Sequence, residues 1–225
     1  MSYVPLHIHS EYSLLNGLSK TSQISKRLHQ IGTDTCALTD HGTLSGAVDF
    51  CRTLKEASQK PILGCEFHIA KNDAVTVKTP ENKSCFHQVV LAKNFSGWQD
   101  LLSLVSSSNH KDHFYHIPRI DLEQLQEVAS KGNLISFSGH LGSHLANCVL
   151  EDPSKAVYEA QRLQAMFGKD NFYIEIQLMD SDNNETAKAV ANQLRELSKK
   201  AGIPCVATPD AHYTTHEEAE DQRVL

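Results

Sequence analysis

The segment TCALTDHGTLSGAVDFCRTLKEASQKPILGCEFHI, residues 35–69, decides the fold class. It opens with a short apolar run, Thr35 to Thr39, passes through a stretch with helical spacing, Leu44 to Ser58, and returns to an apolar run, Pro61 to Ile69. Strand-length, helix-length and strand-length patterns in that order make one β/α/β unit. The pattern repeats in both directions. Strands are expected at Tyr3 to Ile8, Phe86 to Ala92, Asn133 to Phe137, Phe172 to Leu178 and Ile203 to Thr208. Helices are expected at Ser22 to Ile31, Ser96 to Ser107, Leu122 to Ala129, Ser143 to Leu150, Pro153 to Phe167 and Asn183 to Ala201. Gly32, Gly132, Gly168 and Gly202 stand where four of these helices should close. Continuous runs such as LISF and PCVA suit strands buried on both faces, and seven strand-type runs in one chain favour a closed barrel over an open sheet. A single domain over residues 1–225 is expected, with Lys71 to Ser84 and Ser106 to His116 as surface loops.

Composition narrows the function. With 40% hydrophobic and 21% charged residues, the chain is too apolar for a disordered protein. It lacks a run of about 18 apolar residues, and its start, MSYVPLHIHS, lacks the basic-then-apolar pattern of a signal peptide, so a cytoplasmic, non-membrane protein is expected. Six cysteines, widely spaced and without a CxxC pair, fit reduced thiols. The net charge of −6 includes no basic block, so any contact with nucleic acid must be local. From Thr214 the chain begins a capped helical pattern that stops at Leu225, and a piece of a longer protein is expected.

Histidine is the informative residue: there are 13, against 21 Lys and Arg combined. In a parallel barrel the C-terminal strand ends meet on one face, and the expected strands deliver metal-ligating types there. LHIH offers His7 and His9 on one side of a strand by the period of two. TDHG offers Asp40 and His41, GCEF offers Glu66, CFHQ offers His87, SGH offers His140, and TPDAH offers Asp210 and His212. Glu175 is expected behind the ligands or facing the core. His29, His110, His113, His116, His144 and His216 are assigned to solvent or packing, and His68 shares the side of Glu66 but lies farther along its strand.

A lone histidine is more often a hydrogen-bonded structural residue than a ligand. The conjunction at six strand ends is what favours a site. Nitrogen and carboxylate donors without cysteine suit zinc, manganese or iron(II). Two carboxylates and six imidazoles exceed the needs of one ion, so more than one divalent metal is expected. Clustered divalent ions favour phosphoester hydrolysis. Metal-dependent amidohydrolases also use HxH on a first strand, but TDHG, GCE and SGH have no clear place there.

The stretches LHIHSEYSLLNG, ALTDHGTLSGAVDF, KPILGCEFHIA, ISFSGHLG and VATPDAHY resemble, in order, the motifs of the polymerase and histidinol phosphatase (PHP) family. LAKNFSGWQDLLSLVSSS, FYHIPRIDLEQL and FYIEIQL resemble more specifically the PHP domain that opens the alpha subunit of bacterial DNA polymerase III, a C-family polymerase. The resemblance implies an α/β fold, a distorted (β/α)7 TIM-like barrel, at the N-terminus of a much larger alpha subunit in DNA replication. It implies two or three divalent ions (Zn, Mn or Fe, with Mg an option). Carried over, His7, His9, Glu66 and Asp210 hold a first ion, and Glu66 bridges to a second that is held by His87 and His140. A third uses position 16, His41 and His212. Asn16 stands where relatives usually have Asp or His, and a neutral amide is the weaker ligand.

The expected chemistry is 3′–5′ exonuclease hydrolysis at a DNA 3′ end. Asp40 is nominated to orient a ligand imidazole, and Arg119 in IPRI to stabilise the leaving oxygen. One alternative is a phosphatase or pyrophosphatase acting on nucleotides. Another is a non-catalytic scaffold that stabilises the polymerase and docks a separate proofreading exonuclease subunit.

Overall fold

The computed structural model describes residues 3–71, 74–139, 141–177 and 185–225. Helix α1 (Thr21–Gln30) leads to β1 (Thr35–Leu38), α2 (Ala47–Glu56), β2 (Lys60–Ala70) and β3 (Cys85–Ala92). Then come α3 (Phe95–Ser108), α4 (Leu122–Ala129), β4 (Leu134–Phe137), α5 (His144–Glu151) and α6 (Pro153–Phe167). The last elements are β5 (Phe172–Gln177), α7 (Glu185–Ala201), β6 (Cys205–Thr208) and the short α8 (Ala219–Gln222). Helix starts are fixed by short polar caps: Asn94, Asp121 and Ser143 accept from the backbone N–H of Gly97, Gln124 and Ala146. The capped pattern expected from Thr214 is realised as a capping box of Thr215 with Glu218. The expected boundaries at Leu178 and Asn183 lie outside the described residues.

The six strands form one sheet in chain order. The pairs β1/β2, β4/β5 and β5/β6 are parallel, whereas β3 runs antiparallel to both of its neighbours. That corrects the expectation of uniformly parallel units. The described part of the β2–β3 connection holds only a 3₁₀ turn, Glu81–Lys83, and without a crossover helix the chain can only double back beside the strand it left.

The expected first strand, Tyr3 to Ile8, is extended but not part of the regular ladder. Ala37 and Thr39 N–H donate to the carbonyls of Pro5 and Ile8, both at 2.9 Å. On its other side His9 N–H donates to Ala211 C=O at 2.8 Å, and Ala211 N–H to His7 C=O at 3.2 Å. Pro5 has no N–H to give a ladder, which limits this segment to sparse pairing. The sheet is thus a curled six-stranded half-barrel whose two edges are tied together by residues 5–9.

Strand alternation divides the concave face into two halves. On β2, Ile62, Gly64, Glu66 and His68 share it, and on β3 the register adds His87, Val89 and Leu91. One end is apolar, built by Ala37, Val89, Leu91 and Phe137 with Ile62, Ile135, Tyr173 and Val206 around them. The other end is polar. The opposite face of β2, Cys65, Phe67 and Ile69, packs into the main core beneath α3 to α7.

Burial also decides the thiol chemistry. Desolvation pushes the Cys36 thiol up to about 12, and Cys65 is raised by burial and by the nearby Asp40 and Glu66 carboxylates. Cys205 is exposed. A thiol-reactive chromogenic disulfide at about pH 8 should therefore modify Cys205 first and reach Cys36 and Cys65 only after denaturation. Rapid native labelling of Cys36, mapped by mass spectrometry, would contradict this packing.

Candidate metal centre

At the polar end of the concave face, Glu66 is fully buried and both of its oxygens meet imidazoles. Oε2 lies 3.2 Å from His7 Nε2, 3.1 Å from His9 Nε2 and 3.1 Å from His41 Nδ1, and Oε1 lies 2.9 Å from His87 Nδ1. Asp210 Oδ1 is 3.3 Å from both His7 Nε2 and His9 Nε2. Among the described residues three groups of ligand atoms follow from this packing: His7, His9, Glu66 and Asp210; His9, His41 and His212; and His41, His68 and His87.

The imidazoles are held from behind. His7 Nδ1–H donates to Glu175 Oε1 at 2.6 Å, and Thr208 Oγ1 donates to the same oxygen. That bond leaves the His7 Nε2 lone pair facing Glu66 and Asp210. Ser13 does the same for His9. Its hydroxyl donates to Asp40 Oδ1 at 2.7 Å, so its oxygen is free to accept from His9 Nδ1–H at 3.2 Å and from the His41 backbone N–H at 3.1 Å. Asp40 also accepts from Ser10 N–H at 2.7 Å and Ser10 Oγ at 2.8 Å, and so anchors the loop after His9. Gly17 closes that loop: a Cβ there would come within 2.0 Å of the Ser10 carbonyl oxygen. Asp210 has a left-handed backbone, φ 47°, and its Oδ2 accepts from Gln177 Nε2 at 2.9 Å, which turns Oδ1 inward.

The electrostatics favour positive charge among the imidazoles, carried by protons or by metal ions. Glu66, Glu175 and Asp210 are paired with histidines among the described residues, with no Lys or Arg at these contacts. Burial works against a charged His7, but Glu175, Glu66 and Asp210 outweigh it and raise His7 well above its ordinary range. His9 is raised in the same way by Asp210 and Glu66. Burial, reinforced by neighbouring imidazoles, pushes His41 down to about 2 and lowers His212. Asp210 is lowered because His7 and His9 overcome its burial. His9 Nε2, His41 Nδ1 and Asp210 Oδ1 are buried and close to other donor atoms, yet none makes a hydrogen bond of proper geometry. Convergent lone pairs that do not bond one another are the arrangement expected of ligands. The donor set fits the expected divalent ions, being imidazole and carboxylate without thiolate.

The expected ligands His7, His9, His41, Glu66, Asp210 and His212 are brought together, and His87 joins them through Glu66. His87 arrives from the beginning of β3, not from a strand's C-terminal end, because that strand is reversed. Asn16 stands exposed on the loop after His9, where its carbonyl accepts from Gln222. His140 lies outside the described residues. Among the described residues Asp40 reaches an imidazole through Ser13, and it also anchors the turn after His9 through Ser10. Arg119 is a plain correction. It is fully buried, and its guanidinium donates to the carbonyls of Asn82 (2.7 Å), Val75 (2.8 Å) and His113 (3.3 Å), so it ties down residues 75–82 and offers nothing to a substrate. Ser13, Thr208 and Gln177 were not foreseen. Only the HxxxS spacing of His9 and Ser13 hinted at one of them.

An α/β sheet curled around buried histidines and carboxylates defines the class, a domain built about a candidate divalent-metal centre. The model of the PHP domain matches residues 5–178, and the chain belongs to that family. It is 36% identical over 227 residues to DNA polymerase III subunit alpha of Treponema pallidum and 35% identical over 230 residues to that of Thermus aquaticus. Each alignment covers all of this chain but 19% and 18% of those proteins, so the chain spans about a fifth of their length and corresponds to their PHP part. Among solved structures it resembles an amidohydrolase from Chromobacterium violaceum with bound sulfate and no metal (TM-score 0.61, 13% identity). It also resembles a protein from Bifidobacterium adolescentis assigned as a metal-dependent phosphoesterase (TM-score 0.55, 12% identity). Both alignments cover 93% of this chain and 87% of the other, and at that identity they speak for the fold alone.

Two outcomes are expected from this geometry. Glu175→Gln should weaken binding of the tightest divalent ion by roughly 10–100-fold, read by competition with a chelator, because His7 loses its charged partner. Arg119→Ala should lower stability by about 2–4 kcal/mol in denaturant titration, through carbonyls left unpaired, while the metal content of the folded protein stays the same.

Proposed function

We propose that residues 1–225 form a single PHP domain of a bacterial replicative polymerase alpha subunit, in which residues 5–9 complete a distorted (β/α)7 barrel. Its reaction is metal-dependent phosphoester hydrolysis, with the 3′ end of DNA as substrate in 3′–5′ exonucleolytic proofreading. The observation that carries this reading is Glu66, one buried carboxylate whose two oxygens face His7, His9 and His41 on one side and His87 on the other. That is the shape of a bridging ligand.

His7, His9, Glu66 and Asp210 would hold one ion, Glu66, His87 and His140 a second, and His41, His212 and Asn16 a third. Bound divalent ions supply charge stabilisation to phosphate oxygens and a lowered pKa for an attacking water. The chain's own part is order and access. Glu175 and Ser13 fix the tautomers of His7 and His9, Gln177 fixes the rotamer of Asp210, and complete burial of His7, His9 and Glu66 keeps bulk water from the inner wall. His87 and His212 keep 24% and 23% of their side-chain surface, so a phosphate reaches the cluster from their side.

The net charge of −6, without a basic track, favours a second reading: a phosphatase or pyrophosphatase acting on nucleotides. The exposed amide of Asn16 favours a third, a metal-stabilised scaffold that joins the rest of the alpha subunit to a proofreading exonuclease subunit.

One experiment separates the three. The purified protein is incubated with manganese, zinc or magnesium, and shortening of labelled single-stranded DNA is compared with phosphate release from nucleotides and pyrophosphate. Shortening of DNA that falls to background in His9→Ala, a loss of about 100-fold or more, is the expected result. Phosphate release alone would favour the second reading. Inactivity with every metal, joined to a melting temperature that drops on chelation, would favour the scaffold.

A further inference from the structure

His68 lies farther along β2 than Glu66, and the structure gives it two neighbours of its own kind. In the antiparallel register of β2 and β3, His68 stands directly opposite His87. Residues in direct register carry their Cβ atoms about 4.5–5.5 Å apart on one face. The His68 and His87 rings meet edge-on at 4.9 Å between centroids. His41 enters from the other side, its ring 5.8 Å from His68 and 5.6 Å from His87. One ligand atom from each of the three lies within 4.8 Å of the others. The third wall is Gly42, where a Cβ would sit 3.6 Å from His68 Nδ1, so the turn after His41 closes against this imidazole.

We propose that His68 is itself a metal ligand, forming with His41 and His87 an all-imidazole position beside Glu66 that takes a zinc-class divalent cation. The inference rests on the reading of the cluster as a metal centre and extends it by one ligand and one selectivity. Three imidazole nitrogens, with a water as the fourth donor, make an N3O set, which matches tetrahedral zinc, cobalt(II) or iron(II). Magnesium prefers oxygen donors and keeps its waters, so the same position rejects it. His41 also belongs to the trio with His9 and His212, its ring stacked 4.1 Å from His9, and as a neutral imidazole with one lone pair it serves one side at a time, according to which nitrogen carries the proton.

The test uses the wild-type protein and two variants. Histidine acylation by diethyl pyrocarbonate is mapped by mass spectrometry on the wild type with chelator and with zinc. Zinc should protect His68 at least about tenfold, and magnesium should not. In His68→Phe and His68→Gln, cobalt(II) titration followed by visible absorption should show one binding step lost or weakened at least about tenfold, with the other step kept. His68 acylated equally with and without zinc in a protein that demonstrably binds zinc, or a folded variant with unchanged cobalt stoichiometry, affinity and spectrum, overturns the inference and leaves the metal centre standing. A wild type that retains neither zinc nor cobalt overturns both. Should the variants fail to fold, the wild-type protection pattern decides alone.

Discussion

A single carboxylate sets the terms for this fold. Glu66 is out of reach of solvent, and its two oxygens touch four imidazoles drawn from three separated parts of the chain, at positions 7, 9, 41 and 87. An unpaired carboxylate in such a place would cost several kcal/mol. The surroundings supply imidazole lone pairs in place of ammonium or guanidinium groups, so the balance depends on protons or on metal ions shared among the histidines. The connection between the segment at residues 5–9 and both sheet edges brings His7 and His9 to Glu66. Without that tie the half-barrel would open on its most polar side.

The sheet's asymmetry follows from the same requirement. Along β2 the inward residues run Ile62, Gly64, Glu66, His68, from apolar to ionisable, and β3 matches this in reverse as Leu91, Val89, His87. Reversing β3 does not disturb the site, because an antiparallel strand presents its beginning where parallel strands present their ends. Gly64 allows the approach: a Cβ there would lie 2.4 Å from Leu91 and 2.6 Å from the Val90 carbonyl oxygen. The apolar half is therefore packed closely enough to hold the polar half in place.

Much of this was legible in the sequence, and the parts that were not share a cause. Helices such as Leu122–Ala129 and Pro153–Phe167 follow from local periodicity and capping, which act within a few residues. The HxH and TDHG motifs announced themselves because ligand type and spacing are local too. The direction of β3 was not legible, since the length of a loop does not say whether the chain crosses over or turns back. Arg119 misled because a buried guanidinium satisfied by loop carbonyls and one aimed at a phosphate look the same in IPRI; only the fold places Val75 and Asn82 around it. Ser13 and Gln177 have partners at Asp40 and Asp210 that no local pattern marks. His68 shows the same limit: its distance along the strand is readable in the sequence, but its register opposite His87 is not.

Charge explains how an acidic chain would attract an acidic substrate. Glu66, Asp210 and Glu175 bring three negative charges to the centre, and the imidazoles that surround them are neutral once they serve as ligands. Two divalent ions would then leave roughly one net positive charge in the cleft, and a third ion roughly three. Low-dielectric walls such as Val89 and Phe137 would concentrate that field at the mouth where His87 and His212 stand. A basic surface track is thus unnecessary for a phosphate to find the site. The attraction would be short in range, confined to about a Debye length of 8–10 Å, and would favour a single terminal phosphate over an extended duplex. The difference between an acidic exterior and a metal-charged cleft would itself act as a selector, repelling most of a polyanion while admitting its end.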